Sequence, residues 1–452
     1  MNPVLAAASA ILRGRDRATS VLTVIAFALP HAVFLAVLGG VGAFQARASR
    51  FDAAYSEQMG QGGGTMYTAL AYFAATLLIV PVLSMGAAAA RLGMSRRAHD
   101  LAVLRLIGLG PGAAKLACVV ETAAHAGAGV VVGSVLYAVT LPAWGLIAFQ
   151  GWPMGASEMW VGVLLLLGAA LAIVVLAALS AWFGMRKVAI TPLGVTRRQK
   201  ADRVTPIGVV MGAVLLVVWM TAGSKLMDAG FAIGMAALFG FLAAIFLIVN
   251  LIGVWSVSLL GRLIAAVARR PQTVLAGRRL VDDPRSLWRS FGPVALVGFL
   301  VGVLYPILSV VGGMAGDDPV SRMVGDDMLR GMILTFCIAL ALGAISTAVN
   351  QAIRAIDSAE QARALFRMGS PLAFMDRARR IEIGVPALLM IPGSMLIGFL
   401  FIIPIASGAG LWGTLGALLA TAVGGVALIL AASELSAPLR RAILEEARES
   451  NE

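Results

Sequence analysis

Two similar stretches organise this chain: HDLAVLRLIG at 99–108 and EQARALFRMG at 360–369. Each stretch follows a long apolar segment and leads into another. Their residues match at one constant offset of 261 positions, which pairs Gly108 with Gly369. The same offset pairs Glu121 with Glu382, and each glutamate lies 13 residues after its glycine. The chain therefore contains an internal repeat, and we call its two copies the repeated phrases.

The composition around the phrases is that of a membrane protein. With 60% hydrophobic residues, 13% charged residues and a mean hydropathy of +0.92, the chain is unlike soluble globular proteins. Ten continuous apolar stretches are long enough to cross a bilayer as helices, which takes roughly 20 residues. They lie near 20–44, 66–90, 119–147, 159–184, 206–222, 229–260, 291–315, 328–353, 381–405 and 410–433. Barrel strands would alternate instead, so we predict an all-α integral membrane protein with ten transmembrane helices.

The distribution of basic residues predicts the orientation. Ten spans place both termini on one side, and a cytoplasmic N-terminus puts all but five of the 35 Lys and Arg residues inside. The five exceptions are Arg47, Arg50, Lys225, Arg322 and Arg330. This is the positive-inside pattern. It also accounts for the net charge of +12, together with attraction to anionic lipids, so no nucleic-acid partner is expected.

The repeat divides the chain into three predicted parts. Residues 1–200 form a first four-span repeat, and residues 281–452 form a second. Residues 201–280 supply a linking hairpin of spans five and six with a cytoplasmic connector. Because two spans intervene, the repeats have the same orientation and a pseudo-twofold axis along the membrane normal. The glycine-rich outer loop 45–65 is predicted to be mobile.

Each phrase has the pattern of a short helix followed by a turn. Leu101, Leu104 and Gly108 share one helical face, and glycine with proline follows at 108–111 and at 369–371. The next segment returns to the membrane and carries the glutamate near the inner interface. There a carboxylate can reach the headgroups, cap amides or meet a basic residue. A helix that merely lies in the interface is the alternative, and two copies with matching spacing weigh against it.

At these residues the chain resembles the FtsX-like or MacB-like permeases of ABC transporters. Their signature is an acidic residue, apolar residues, Leu-Arg, an apolar pair, Gly, and a Glu 13 positions later. The first phrase matches it with Asp100, Leu104, Arg105, Gly108 and Glu121.

The second phrase departs from the signature. Gln361 replaces the acid, Phe366 stands at the arginine position, and Arg367 is displaced by one residue. The retained residues are Leu365, Gly369 and Glu382. We therefore expect the two copies to be unequal: the region 92–117 should bind its partner subunit, described next, more strongly than the region 354–380 binds its own.

In that family the phrase is a coupling helix that docks into a groove on a cytoplasmic ATPase subunit. The resemblance implies that 92–117 and 354–380 contact the two subunits of an ATPase homodimer. The expected coupling residues are Asp100, Leu101, Leu104, Arg105, Gly108, Glu121, Leu365, Phe366, Arg367, Gly369 and Glu382. The ten-span arrangement is similar to that of permeases for resistance to bacitracin-type peptides, without their large extracellular domain. A multi-pass protein of the bacterial plasma membrane is implied.

The function implied is a non-catalytic permease subunit. It would couple ATP hydrolysis to export, or to extraction from the outer leaflet, of a lipid, peptide or drug. The alternative is a mechanotransmitting subunit that regulates an envelope enzyme, or a sensor kinase or other envelope protein. The sequence lacks a Gly-x-x-x-x-Gly-Lys-Ser/Thr motif, so ATP and Mg²⁺ are expected in the partner and no cofactor in this chain. No metal site is predicted, and no substrate-binding residue is identified.

Several polar residues within the apolar segments are assigned to packing. His31 and His125 are expected to be satisfied individually, with a pair facing a ligand such as haem as the alternative. Asn350, like Asn250, is expected to hydrogen-bond between helices, with a place on a substrate path as the alternative. The two cysteines, Cys118 and Cys337, are expected to be buried thiols, too different in depth to form a disulfide.

Overall fold

The computed structural model of the chain describes residues 17–59, 62–91, 110–186, 207–314, 318–357, 364, 367–403 and 415–434. This part of the protein is almost entirely α-helical, which confirms the all-α prediction. In the first half lie α1 (Arg17–Met59), α2 (Gly63–Arg91), α3 (Pro111–Thr140), α4 (Ala156–Met159) and α5 (Gly162–Arg186). A 3-10 helix (Leu141–Leu146) and the two short antiparallel strands β1 (Ala148–Phe149) and β2 (Trp152–Pro153) connect α3 to α4.

The second half contains the longer series of helices. It comprises α6 (Ile207–Asp228), α7 (Phe231–Val267), α8 (Pro271–Asp282), α9 (Pro284–Met314), α10 (Pro319–Asp357), α11 (Leu372–Ile402) and α12 (Leu415–Glu434).

The apolar helices indicate a multi-pass membrane protein. Within the described residues, six helical segments are long and apolar enough to cross a membrane. They are Thr23–Glu57, Lys115–Leu146, Gly162–Phe183, Ile207–Leu226, Pro319–Gln351 and Ala373–Ile402. The predicted count of ten spans stays a prediction.

The helices pack into two compact units, 1–198 and 199–452. In the first unit, α1 packs against α2, α3 and α5, and α5 also packs against α2 and α3. In the second, α9 packs against α10, α11 and α12, and α12 also packs against α10 and α11. The same five pairings thus occur in each unit, with α9 to α12 in the places of α1, α2, α3 and α5. The hairpin of α6 and α7 packs within the second unit.

One helix crossing is built at equivalent positions in both units. In the first unit, a Cβ atom on Gly133 would overlap the carbonyl oxygen of Ala28, so α1 and α3 approach closely there. Ser394 lies 261 positions after Gly133, and its Oγ donates a hydrogen bond to the carbonyl oxygen of Ala295 at 2.5 Å. The offset of the repeated phrases therefore extends to the crossing of α3 on α1 and of α11 on α9.

The prediction of a mobile loop at 45–65 is wrong for its described residues. Helix α1 runs through this region to Met59, with one non-helical residue at Tyr55 (φ −129°, ψ 17°), and α2 begins at Gly63. The reason lies in contacts between the two helices. The rings of Phe51 and Tyr67 meet edge to face with centroids 5.0 Å apart. The Asp52 side chain also accepts a hydrogen bond from the main-chain N–H of Gly64 at 2.8 Å.

Candidate functional site

The structure describes four of the expected coupling residues: Glu121, Arg367, Gly369 and Glu382. The others lie outside the described residues: Asp100, Leu101, Leu104, Arg105, Gly108, Leu365 and Phe366. The site can therefore be built from the turn that ends each phrase and from the helix that follows it.

The turn predicted after the second phrase is confirmed; after the first phrase, the described residues begin at Gly110 and show where the next helix starts. Gly369 has φ of +84°, a left-handed conformation that glycine adopts without strain. Pro371 then caps α11, which begins at Leu372. After the first phrase, Gly110 caps α3, and Pro111 occupies the first turn, where its missing N–H is harmless. Each phrase thus feeds directly into the helix that carries its glutamate.

Glu382 is buried in α11, the helix that begins after this turn, and it lies close to a basic residue. Its Oε2 is 3.6 Å from Nη1 of Arg279, on α8. A buried carboxylate is costly unless a partner compensates for its lost hydration, and the guanidinium supplies that compensation. Of the roles expected for this glutamate, pairing with a basic residue is confirmed. The pair joins α11 to α8.

Two neighbouring arginines join α11 to two more helices. Nη2 of Arg379 donates to Oε1 of Gln351 on α10 at 2.7 Å. Nε of Arg380 donates to Oε1 of Glu434, at the end of α12, at 3.0 Å. The second pair is well exposed and contributes at most about 1 kcal/mol. Within four residues, α11 is therefore tied to α8, α10 and α12.

We call this cluster the α11 junction; it consists of Arg279, Gln351, Arg379, Arg380, Glu382 and Glu434. The sequence analysis predicted Glu382 to be a coupling residue, a role that stays a prediction, and it missed the residues that Glu382 and its neighbours contact. The basic run at 377–380 was a signal that polar contacts begin there. The partners themselves are remote along the chain, so no local spacing could have revealed them.

In the first unit, Glu121 is also buried, in the corresponding part of α3. The next residue, Thr122, satisfies its hydroxyl within the same helix by donating a hydrogen bond to the carbonyl oxygen of Cys118 at 2.8 Å. Six residues before Glu121, Nζ of Lys115 lies 3.6 Å from the ring centroid of Trp182 on α5. This cation–π contact ties the start of α3 to α5.

The two histidines form separate contacts, as predicted, although the buried Nδ1 of His31 has no hydrogen-bond partner among the described residues. Nε2 of His31 lies 3.1 Å from Oγ of Ser134. Nδ1 of His125 lies 3.0 Å from the carbonyl oxygen of Glu121, four residues earlier in the same helix. Ser134 is nine residues beyond His125, about 13 Å along the axis of α3. The histidines are therefore too far apart along the bundle to face one small ligand.

Two smaller predictions are wrong. Asn350 donates to the carbonyl oxygen of Ser346 at 2.8 Å, which is a bond within α10 rather than between helices. Local bonding to the preceding turn has displaced the expected interhelical contact. The side chain of Asn250 lies outside the described residues. Cys118 is buried as expected, but Cys337 is exposed on the surface of α10.

A second polar cluster holds the segment between α3 and α5, residues 141–161, which we call the cap. Arg47 of α1 is buried and binds this segment with its whole guanidinium. Nε donates to Oε2 of Glu158 at 3.0 Å, and Nη2 also binds that oxygen. The remaining bonds go to the carbonyl oxygens of Phe149 (3.2 Å), Trp152 (3.2 Å) and Pro153 (2.5 Å). Sequence reasoning placed Arg47 in a loop and missed this role.

The surroundings of Glu158 lower the pKa of its carboxyl below the usual range. Partial burial acts in the opposite direction and raises the pKa. The hydrogen bonds from Arg47 and the main-chain N–H of Gly155, with the charges of Arg47 and Arg50, outweigh that effect. The carboxylate is therefore held in its charged form, which is the form that binds Arg47.

Among the described residues, no group of three or more His, Cys, Asp or Glu side chains is close enough to hold a metal ion. Comparison with known proteins adds no assignment: no family model matches the chain, and no curated protein matches it.

Proposed function

We propose that this chain is the membrane permease subunit of an ABC transporter. In this proposal it crosses the bacterial plasma membrane ten times, with both termini in the cytoplasm. Two FtsX-like four-span repeats are joined by the hairpin of α6 and α7. The partner is a cytoplasmic ATPase homodimer that binds ATP and Mg²⁺, and this chain is not itself an enzyme.

The α11 junction is the observation that supports the proposal. Its α11 residues, 379–382, lie ten to thirteen residues after the second repeated phrase, on the helix to which a coupling segment would deliver force. Because Arg379 and Glu382 bind different helices, a displacement at the start of α11 acts on α8 and α10 together. A helix that merely rested at the membrane surface would need no such set of cross-connections.

The substrate class follows from the character of the helices. The six long helical segments are strongly apolar, and a charge near the bilayer centre costs roughly 2.5–3.5 kcal/mol on insertion scales. A hydrophobic or amphipathic molecule, either exported or extracted from the outer leaflet, suits such surroundings better than an ion does.

The test is reconstitution of the chain with its ATPase in lipid nanodiscs. Glu382→Gln removes the charge that binds Arg279 while keeping the side-chain volume. We expect ATPase binding to be retained and permease-stimulated ATP hydrolysis to fall at least about tenfold. A loss of about 1.4 kcal/mol of coupling free energy through the Glu382–Arg279 pair corresponds to that factor. The matched control Arg380→Gln breaks only the exposed pair and should stay within about twofold.

Docking is tested at the first phrase. Gly108→Asp and Leu104→Asp should abolish binding of the ATPase in a pull-down, with normal amounts of chain in the membrane. Full transport by a preparation that contains no ATPase subunit would overturn the proposal. ATPase binding and stimulation that remain unchanged in Gly108→Asp would overturn the docking assignment.

Mechanotransmission is the second candidate, and the cap favours it. The bonds of Arg47 to Glu158 and to three carbonyls attach the cap to α1, so movement of α1 carries the cap with it. An envelope enzyme or sensor kinase could read such a movement. Reconstitution distinguishes the two: a transporter moves lipid or peptide with the ATPase alone, whereas a mechanotransmitter hydrolyses ATP without moving either.

A further inference from the structure

A partly open cavity lies between α1 and the segment that joins the cap to α5. Its volume is about 420 Å³, within the range of roughly 300–1,000 Å³ that is typical of sites for small molecules. Residues between 38 and 46 line one side, and residues between 157 and 165 line the other. The cavity is therefore contained within the first unit, and we call it the α1–cap cavity.

Helix α1 forms the floor of the α1–cap cavity with small residues. Gly42 and Ala46 are four residues apart and so share one helical face. A Cβ atom on Gly42 would meet no other atom within 4 Å. At Gly39, by contrast, a Cβ atom would overlap the main-chain carbonyl oxygen of Met159 in the cap. The helix and the cap thus touch at Gly39 and leave a space beyond it at Gly42.

The facing wall is apolar and is held in place by Tyr137. Trp160, Val161 and Leu165 form this wall. The ring of Trp160 stacks on that of Tyr137 with centroids 6.1 Å apart, and the main-chain N–H of Val161 donates to the Tyr137 hydroxyl at 3.1 Å. Trp160 is 40% exposed and precedes the apolar segment Gly162–Phe183. A tryptophan in such a place is typical of the head-group level of a bilayer.

One end of the cavity is polar and offers acceptors for hydrogen bonds. Ser157 and Glu158 line it. The hydrogen bonds that Glu158 accepts, from Arg47 and from the N–H of Gly155, all go to Oε2, and Oε1 accepts none from the residues that the structure describes. The side chain of Glu158 is 29% exposed and that of Arg47 only 3%. The arginine therefore lies behind the carboxylate, and Oε1 is left for a ligand.

The charges nearby define which kind of ligand fits. Arg47 balances the charge of Glu158, and the charge of Arg50 also acts on this carboxylate. A simple cation would be repelled by Arg50, whereas a zwitterion brings a negative group that balances this second arginine. The other end of the cavity, at Leu38 and Leu165, is apolar and suits a hydrocarbon chain. The complementary molecule is an amphiphile with a zwitterionic, hydrogen-bond-donating head.

We propose that the α1–cap cavity binds a phospholipid whose zwitterionic head group carries a primary ammonium, such as phosphatidylethanolamine. The ammonium donates to Oε1 of Glu158, and one acyl chain lies along Gly42 towards Leu38. This inference deepens the proposed function by naming the amphipathic molecule that the chain holds. It rests on that function for one point, the position of this end of α1 at the outer face of the membrane.

Photolabelling of the chain in lipid nanodiscs tests the head-group preference. The nanodiscs contain phosphatidylglycerol with a small fraction of phosphatidylethanolamine or phosphatidylcholine, each with a diazirine in one acyl chain. Both probes are zwitterionic, but the trimethylammonium of phosphatidylcholine has no N–H to donate. We expect phosphatidylethanolamine to label residues 156–165 at least about fivefold more than phosphatidylcholine does, because it alone bonds to a charged acceptor. The N-methyl and N,N-dimethyl lipids should fall in between.

Substitutions in α1 test the location. Gly42→Leu fills the floor of the cavity and should reduce labelling by phosphatidylethanolamine to the phosphatidylcholine level. The matched control is Gly40→Leu, since a Cβ atom on Gly40 also meets nothing within 4 Å but this residue does not line the cavity. It should leave the labelling unchanged. Ala46→Leu fills the same floor one turn further along and should act as Gly42→Leu does, so the result does not depend on one variant.

Equal labelling by the two lipids would overturn the proposal, because the ammonium would then make no bond to Glu158. Labelling that persists in both Gly42→Leu and Ala46→Leu would place the lipid elsewhere. Absence of labelling at 156–165 with either lipid would mean that another segment of the chain fills the cavity. All labelling is measured on the chain alone, without ATPase or ATP. A failed ATPase pull-down would therefore refute the proposed function and leave lipid binding intact, and absence of lipid binding would leave the ATPase assignment intact.

Discussion

Replacing Arg47 with alanine should open the cap while leaving the helices of the first unit folded. The substitution removes every bond of the guanidinium, so Glu158 and the carbonyls of Phe149, Trp152 and Pro153 lose their donor. Removing one partner of a buried ion pair costs about 3–5 kcal/mol. Because Glu158 is 29% exposed and can regain water, we expect the lower end, about 3 kcal/mol.

Amide hydrogen exchange measures this loss where it occurs. The N–H of Met154 donates to the carbonyl oxygen of Ile147 at 3.0 Å inside the cap, so its exchange reports opening of the cap. At 1.4 kcal/mol per factor of ten, Arg47→Ala should accelerate its exchange about 100-fold. Amides in the middle of α3 should be unaffected.

The matched control is Arg50→Ala, three residues further along α1. The Arg50 guanidinium lies 4.2 Å from the ring centroid of Trp152 and is exposed, a cation–π contact worth about 0.5–1 kcal/mol. Its loss should accelerate exchange only about two- to fivefold. Less than a threefold effect for Arg47→Ala, or equal effects for the two variants, would refute the assignment of the cap to Arg47.

Two further predictions concern acid and the hairpin. The pKa of Glu158 is lowered in the folded protein, so its stabilising charge is present above the ordinary carboxyl range and is lost as the pH falls through the lowered value. Amide exchange in the cap, corrected for intrinsic rates, should therefore accelerate below about pH 4. Glu158→Gln should abolish this pH dependence. Trp219→Phe keeps the stacking on Phe401 but removes the hydrogen bond, so thermal unfolding in nanodiscs should show a loss of about 1 kcal/mol; no measurable loss would mean that water or lipid replaces this bond.

The sequence was sufficient for features that depend on local pattern. Continuous apolar runs predicted helices, and the glycine and proline after each phrase predicted where α3 and α11 begin. Both features follow from backbone conformation and from the length of an apolar segment, which neighbouring residues determine.

The features that the sequence did not predict depend on contacts between residues that are distant along the chain. Arg279 and Glu382 are more than a hundred residues apart, and no spacing rule relates them. The same applies to the glycines near residue 62, whose composition predicted a mobile loop. There the ring of Phe51 and the carboxylate of Asp52 bind residues near the start of α2, and composition does not reveal such contacts.

Helix α1 is much longer than the thickness of a bilayer's hydrocarbon core. From Arg17 to the break at Tyr55, the helix is about 57 Å long, whereas the hydrocarbon core of a bilayer is about 30 Å thick. In the proposed membrane orientation, the part of α1 that exceeds this thickness would extend beyond the hydrocarbon core. A rocking of about 5° at one end displaces the other end by about 5 Å, the size of one helical turn. Because Arg47 binds the cap to α1, such a rocking would move the cap with the helix, as the proposed mechanotransmission requires.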